Sequence, residues 1–266
     1  MSTAIALNTD VGESFGAWVH DDRPLLDVVD AANVACGFHA GDPDVMRRTC
    51  DDCARRGVAV GAHVSYRDLA GFGRRFVDVA RDSLVNDIVY QIGALTAFAA
   101  AAGTRVGYVK AHGALYHASG THPAHADALV EAVRLVDAGL PLVCLPGTEV
   151  WERARAAGLS PRAEAFLDRG YTAAGGLVPR GQPGDLVRDP AEAAARAVSI
   201  ARDGRVTAVD GTVVSVRPAG GAVAALCVHG DTPGADALAR AARAALTAAG
   251  FGCGPEPLAP VTGALR

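Results

Sequence analysis

The chain has 266 residues, 50% of them hydrophobic, and a formal net charge of −4. That length and apolar content fit one α/β domain spanning 1–266. The slightly negative balance supplies no basic field for nucleic acid or an anionic membrane, so neither is an expected partner.

Met1–Asp10 has no basic segment leading into a long apolar one, so no secretory signal is expected. The longest bland apolar run, Ile92–Gly103, falls far short of the roughly 20 residues that span a bilayer, and a cytoplasmic protein is expected. Strand-like runs recur near 4–9, 32–37, 58–63, 106–111, 141–146, 163–167 and 224–229. Helical patterns fill most gaps, at Pro43–Arg56, Ser83–Ala102, His125–Ala138, Glu149–Ala157, Ala191–Asp203 and Ala235–Ala249. Glycines 57, 103, 139, 158, 204 and 250 fall just past these helices, where a left-handed cap favours glycine. One excursion interrupts the alternation: Val206–Asp210 and Thr212–Val216 flank Asp210-Gly211, which predicts a β-hairpin near 206–217.

Six of the strand-like runs end in polar clusters. They lead into Asp10 and Glu13, His39 and Asp42, His63, Lys110 and His112, Asp168 and Arg169, and His229 and Asp231. Parallel strands of a (β/α) barrel or an open α/β sheet deliver side chains to one mouth in this way, so the pattern predicts an enzyme.

Lys110 is the sole lysine beside twenty-four arginines. A lysine kept in such a background points to a place where a compact ammonium is needed and a planar guanidinium does not substitute. His39, His63, His112 and His229 each end a strand and are candidates for metal ligation or acid–base work. His117, His122 and His125 fall in the loop that follows, and His20 in a polar turn; these four are read as solvated, with a place at the mouth left open for His117 because it lies close to it. Asp10 and Glu13 flank Gly12 at a strand end and form a carboxylate pair suited to a divalent cation or to acid–base duty. Asp42-Pro43 and Asp231-Thr232-Pro233 look like helix starts, so capping competes with a role in the site for both acids. Cys36, Cys144 and Cys227 sit in apolar runs, and Cys50 and Cys53 lie in a helical stretch with no second pair. Core packing is therefore expected ahead of zinc.

The segments Leu7–Ser14, Ala32–Pro43, Gly61–His63, Asp68–Arg75 and Lys110–Tyr116 closely resemble the LamB/YcsF family, the A subunits of bacterial ATP-dependent 5-oxoprolinase. Phe166–Tyr171, Gly176–Arg180 and Val228–Gly234 resemble it too, so the likeness runs nearly the whole length in order. The resemblance implies a TIM-like (β/α) barrel of about seven strands, of the glycoside hydrolase/deacetylase type. It implies ATP-coupled opening of the lactam of 5-oxo-L-proline (pyroglutamate) to L-glutamate, in company with subunits B and C.

The catalytic candidates are then Asp10, Glu13, His39, His63, Lys110 and His112. The substrate contacts would be Asn8, Asn33, Asp42, Tyr116, Arg180, His229 and Asp231. A metal, magnesium or manganese ahead of zinc, would sit on Asp10, His39 and His63. No Gly-x-x-x-x-Gly-Lys-Ser/Thr loop exists, so ATP is expected either on Arg74 and Arg75 or on a partner. The chain departs from the family pattern at Val64, Arg67 and Ala111, where proline is usual, and at His117, where asparagine is usual. Two other readings stand beside this one: a metal-dependent deacetylase of an acylated sugar, and a non-catalytic subunit that holds the lactam.

Overall fold

Small inward side chains and a glycine set the dimensions of this fold. The computed structural model describes residues 4–260; the start of the Met1–Asp10 stretch lies outside them. Seven parallel strands close into a barrel: β1 (Ala4–Val11), β2 (Ala31–Ala35), β3 (Ala59–Val64), β4 (Val106–Ala111), β5 (Leu142–Cys144), β6 (Pro161–Phe166) and β9 (Ala225–Val228). Each pairs with the next, and β9 returns to β1 with Leu7 opposite Leu226. This is the TIM-like barrel that the sequence implied. A two-residue strand, β10 (Gly252–Cys253), extends the outer edge of β1.

Outside the barrel run α1 (Arg23–Leu26), α2 (Pro43–Arg56), α3 (Arg81–Ala101), α4 (Gly113–Thr121), α5 (Pro123–Asp137), α6 (Glu149–Ala156), α7 (Pro190–Asp203) and α8 (Ala235–Ala248). Outward strand residues such as Leu7, Val34 and Val60 pack with Leu84, Ile88, Ile92 and Leu95 of α3 and with Leu238 and Leu246 of α8 in one buried layer. By length and hydropathy α3 would span a bilayer; here those four residues of one face lie buried on the barrel.

Within the barrel the residues are small. Ala6, Ala31, Ala225 and Val143 surround the Tyr108 ring and close one end together with Leu258. Seven strands leave a narrow lumen, so one aromatic ring fills most of a layer. Gly61 makes room for it: a Cβ there would collide with the Tyr108 ring.

Local chemistry explains the helix ends. The Asp42 carboxylate accepts from the Val45 N–H at 2.9 Å with Pro43 in the first turn, and Gly57 ends α2 at φ 67°. Gly139 differs from the other five cap glycines, which have positive φ. Its N–H is held by the Asp137 carboxylate at 2.8 Å, so α5 ends without a left-handed residue. Neither Asp231 nor Thr232 caps α8, whose N-cap is Gly234.

The hairpin forms from β7 (Arg205–Thr207) and β8 (Val213–Ser215). Its turn is longer than Asp210-Gly211 alone implied. The Gly211 N–H donates to the Ala208 carbonyl at 2.9 Å, so Val209 and Asp210 are the central pair and Gly211 takes φ 87°.

The stretch after β4 corrects the sequence reading. Residues 113–121 form α4, whose two glycines, His117 and Ser119 disguised it as loop. His125 is buried in α5, with its Nδ1 2.6 Å from the Tyr66 hydroxyl, and is no surface histidine.

Gly61→Ala would push Tyr108 off its site. Denaturant unfolding should show a loss of about 1–3 kcal/mol, the usual cost of overpacking; an unchanged midpoint would contradict this account of the lumen.

Candidate functional site

The chemistry gathers at the C-terminal ends of the barrel strands around Lys110. Its ammonium is buried, 3.0 Å from Glu164 Oε1 on β6 and 3.3 Å from Asp10 Oδ1 on β1. Cys227 Sγ on β9 lies 3.2 Å away, and the ring of Phe166 lies beneath it with its centroid at 5.5 Å. Burial disfavours the ammonium, yet Asp10 and Glu164 outweigh it and hold Lys110 well above the ordinary lysine value. Burial likewise opposes the Asp10 carboxylate, but His63 and Lys110 hold it well below its usual range.

Asn8 and Asn33 form the layer below. Asn8 donates to Glu164 at 3.0 Å; Asn33 donates to Asn8 and Asp10, both at 2.8 Å, and accepts from the Tyr108 hydroxyl at 2.7 Å. Both asparagines are used up orienting the two carboxylates, and neither lines the cavity.

His229 stands beside this core, stacked on Phe166 at 5.4 Å. Its Nδ1 contacts the buried Asp168 carboxylate at 3.1 Å, which also accepts from the Thr232 hydroxyl at 2.6 Å and the His229 N–H at 3.1 Å. Burial opposes the imidazolium, but Asp168 outweighs it and raises His229 above the ordinary histidine value. With Nδ1 held, Nε2 remains for the cavity.

On the other side of Asp10 lies a buried cluster of Glu13, His39, His63 and His112. Glu13 Oε1 is 3.2 Å from His112 Nδ1 and 3.3 Å from His39 Nε2. Burial drives His39 down to about 3, and it also lowers His63, so both rings are neutral at neutral pH. These four residues are able to hold a metal ion. Their side chains are pressed together by the loop Asp68–Arg75, in which Phe72 takes φ 53° and its carbonyl meets His112 Nε2 at 2.8 Å. A Cβ on Gly73 would strike Ser65, His112 and His39.

Of the residues expected to bind a metal together, His39 and His63 meet in this cluster. The neighbours of Asp10 include Lys110 and Asn33 as well as His63. A second trio, Asp10, Cys227 and His229, also comes together, but the Lys110 ammonium touches two of its members and opposes a cation there.

A cavity of about 600 Å³ opens over this floor. Its wall includes Asp10, His63, Lys110, His112, Tyr116, Arg180 and His229 from the expected site, and Arg74 from the expected phosphate contacts. Arg74 and Arg180 both reach Asp231, which bridges them at the rim. Asp42 is at the cap of α2 and also accepts from the Gly16 N–H at 2.7 Å. Arg75 is held by the buried Asp68 carboxylate.

Several contributors were not singled out from sequence. Glu164 had a visible signal, being the one charged residue inside the apolar run Ala163–Leu167. Asp168 and Arg169 were noted only as a strand-end pair; Arg169 lines the cavity but its guanidinium is bound to the Asp185 and Val178 carbonyls. His117 and His122 reach the cavity because of α4 and the start of α5; closeness to the mouth marked His117, and no local signal marked His122.

The profile of the LamB/YcsF family matches residues 5–259. The chain belongs to the LamB/YcsF family. Among its relatives, the A subunit of 5-oxoprolinase from Mycobacterium avium is 55% identical over 247 residues, covering 92% of this chain and 96% of that protein. Its counterpart from Streptomyces coelicolor, of the same name, is 54% identical over 251 residues, covering 94% and 98%. The crystal structure of a lactam utilization protein from Thermus thermophilus superposes with a TM-score of 0.88 at 44% identity, covering 95% of this chain and 99% of that one. A putative cellobiose-phosphate cleavage protein from Enterococcus faecalis, at 11% identity and a TM-score of 0.56, shares the fold alone.

The departures from the family pattern have local accounts. Arg67 pairs with Asp87 of α3, Val64 is buried at the end of β3, and Ala111 and His117 line the cavity.

The His229–Asp168 pair makes a pH prediction. A histidine raised in the native state stabilises it below the unfolded value of about 6.5, and this is lost as pH rises through the native value. Asp168→Asn should lower the His229 midpoint in an NMR titration. Its pH-dependent stability loss should be largest in mildly acidic solution and shrink toward alkaline pH. A midpoint unmoved in the variant would remove Asp168 as the cause.

Proposed function

We propose that this chain is the A subunit of a 5-oxoprolinase, opening the lactam of 5-oxo-L-proline to L-glutamate at the expense of ATP. The observation that carries the reading is the floor of the cavity. A lysine fixed between two carboxylates, an Asp-held histidine and two rim arginines face one space, and relatives at 50–55% identity bear that name.

An unactivated amide resists water, and a five-membered lactam gains little from ring strain. Transfer of the γ-phosphoryl group to the lactam oxygen, with ADP leaving, makes the ring carbon electrophilic. Water adds there, the C–N bond breaks as its nitrogen takes a proton, and a second water splits the acyl phosphate into L-glutamate and phosphate. The protein contributes positioning and charge stabilisation. In this reading Asp10, Glu13, His39, His63, Lys110 and His112 form the catalytic floor. Asp10 directs water, and the ammonium of Lys110, already balanced by two carboxylates, stabilises charge that develops on the lactam oxygen. Tyr116, Arg180 and His229 meet the substrate, Arg180 being the choice for its carboxylate because a guanidinium binds carboxylates in a bidentate fork. Asp231 sets the rim by holding Arg180 and Arg74. Asn8, Asn33 and Asp42 act on the substrate only through the groups they orient.

Arg74 is the group here that suits a phosphate. It is one arginine without a phosphate-binding loop, which favours a nucleotide site shared with subunits B and C. The five buried free cysteines and the half-buried Cys253 suit a reducing, cytoplasmic setting.

Glutamate release from 5-oxoproline with ATP is expected when the chain is mixed with its B and C partners and is expected to be near background for the chain alone. Full activity of the chain alone would overturn the shared-site reading. In the mixed system Lys110→Arg should fold normally yet lose about 100-fold in turnover, since a misplacement of about 1 Å costs that much. Near-normal turnover would return Lys110 to a packing role.

A further inference from the structure

The four-residue cluster beside the cavity carries an inference that goes beyond this reading and uses only donor geometry. His63 Nδ1 faces the Lys110 carbonyl at 3.3 Å, and His112 Nε2 faces the Phe72 carbonyl at 2.8 Å. A carbonyl oxygen only accepts, so both of these outer nitrogens carry the ring proton. The other nitrogens, His63 Nε2 and His112 Nδ1, therefore turn inward and face each other at 3.0 Å, with Asp10 Oδ2 3.4 Å from His63 Nε2. Glu13 Oε1, another acceptor, lies 3.2 Å from His112 Nδ1 and 4.0 Å from His63 Nε2. His39 adds Nε2, 3.3 Å from the same oxygen, and neither of its ring nitrogens finds an aligned hydrogen-bond partner; nor does Glu13 Oε1.

Four potential ligand atoms thus converge in one buried space, and Glu13 Oε1 and both His39 nitrogens lack an aligned partner there, a lack that a bound cation would relieve. A backbone carbonyl fixing the outer nitrogen is also how proteins aim a histidine at a metal. We infer that Glu13, His39, His63 and His112 form a binding site for a first-row transition ion of the zinc class.

The spacing agrees. Ligands about 2.0–2.1 Å from a tetrahedral zinc lie roughly 3.3 Å apart; four of the six pairs here are 3.0 to 4.0 Å apart and all six lie within 4.8 Å. Three imidazoles and one carboxylate oxygen favour zinc, cobalt or nickel over magnesium or manganese, which prefer oxygen shells. This set keeps His39 and His63 of the expected Asp10, His39 and His63 and adds Glu13 and His112. His63 and His112 also line the cavity, so the site is reached from it, while Glu13 and His39 close its far side.

The test uses the full-length chain and needs no turnover. Elemental analysis after desalting should find one zinc-class ion per folded chain, or one taken up when metal-stripped protein is given zinc. Stripped protein loaded with cobalt(II) should show the intense visible absorption of a four-coordinate ion, and its melting temperature should rise. Glu13→Gln and His112→Gln, checked for folding by circular dichroism, should each lose the bound ion. Because a variant can fail to fold, the cobalt spectrum of the wild-type chain stands as the independent measurement. Wild-type protein that takes up neither zinc nor cobalt, or that gives the weak spectrum of six-coordinate cobalt, overturns the site. So does binding unchanged in two folded variants.

Discussion

Everything at the mouth of this barrel depends on one buried ammonium between two buried carboxylates. Lys110 on β4 ties Asp10 on β1 to Glu164 on β6 across the lumen, and the three strands are not neighbours in the order of the barrel. Such a triad does little for net stability, because desolvation cancels most of its attraction. Its consequence is geometric. Removing the lysine would leave two uncompensated buried charges, typically at 3–5 kcal/mol, so the side chains cannot drift apart without large loss. The asparagine pair below adds direction to charge, since each carboxylate receives a fixed amide donor.

Around that core the molecule separates two electrostatic settings only a few ångströms apart. On the β9 side, Asp168 raises His229 above the ordinary histidine value; on the β3 side, burial lowers His39 and His63. Histidines pushed in opposite directions within a few ångströms of one another divide proton-donor from ligand or base roles. The loop Asp68–Arg75 maintains the difference. Its strained Phe72 lays a carbonyl on His112, and its glycine lets the chain lie flat against the rings. Strain of this kind persists only where surrounding contacts fix it, here the Asp68–Arg75 pair and the Ala114 N–H bond to the Gly73 carbonyl.

Local rules reach a long way into this protein. Short apolar runs, Asp42-Pro43 at the start of α2 and a cap glycine at its end were enough to place all seven barrel strands and most helices, because each depends on neighbours close in the chain. The sequence by itself also picked out the strand ends that the structure gathers at one mouth, and the lone lysine lies in the middle of that gathering. What only the tertiary structure decided is how those groups share their partners. Glu164 comes from a strand whose end, not its middle, drew notice; Asp42 and Arg75 turn out to be held by local contacts; His117 reaches the cavity only because α4 exists. The physical reason is range. Capping and alternation act over four or five residues, whereas Lys110 meets Asp10 at a separation of 100 residues and Cys227 at 117, distances that only barrel closure brings to 3.3 and 3.2 Å.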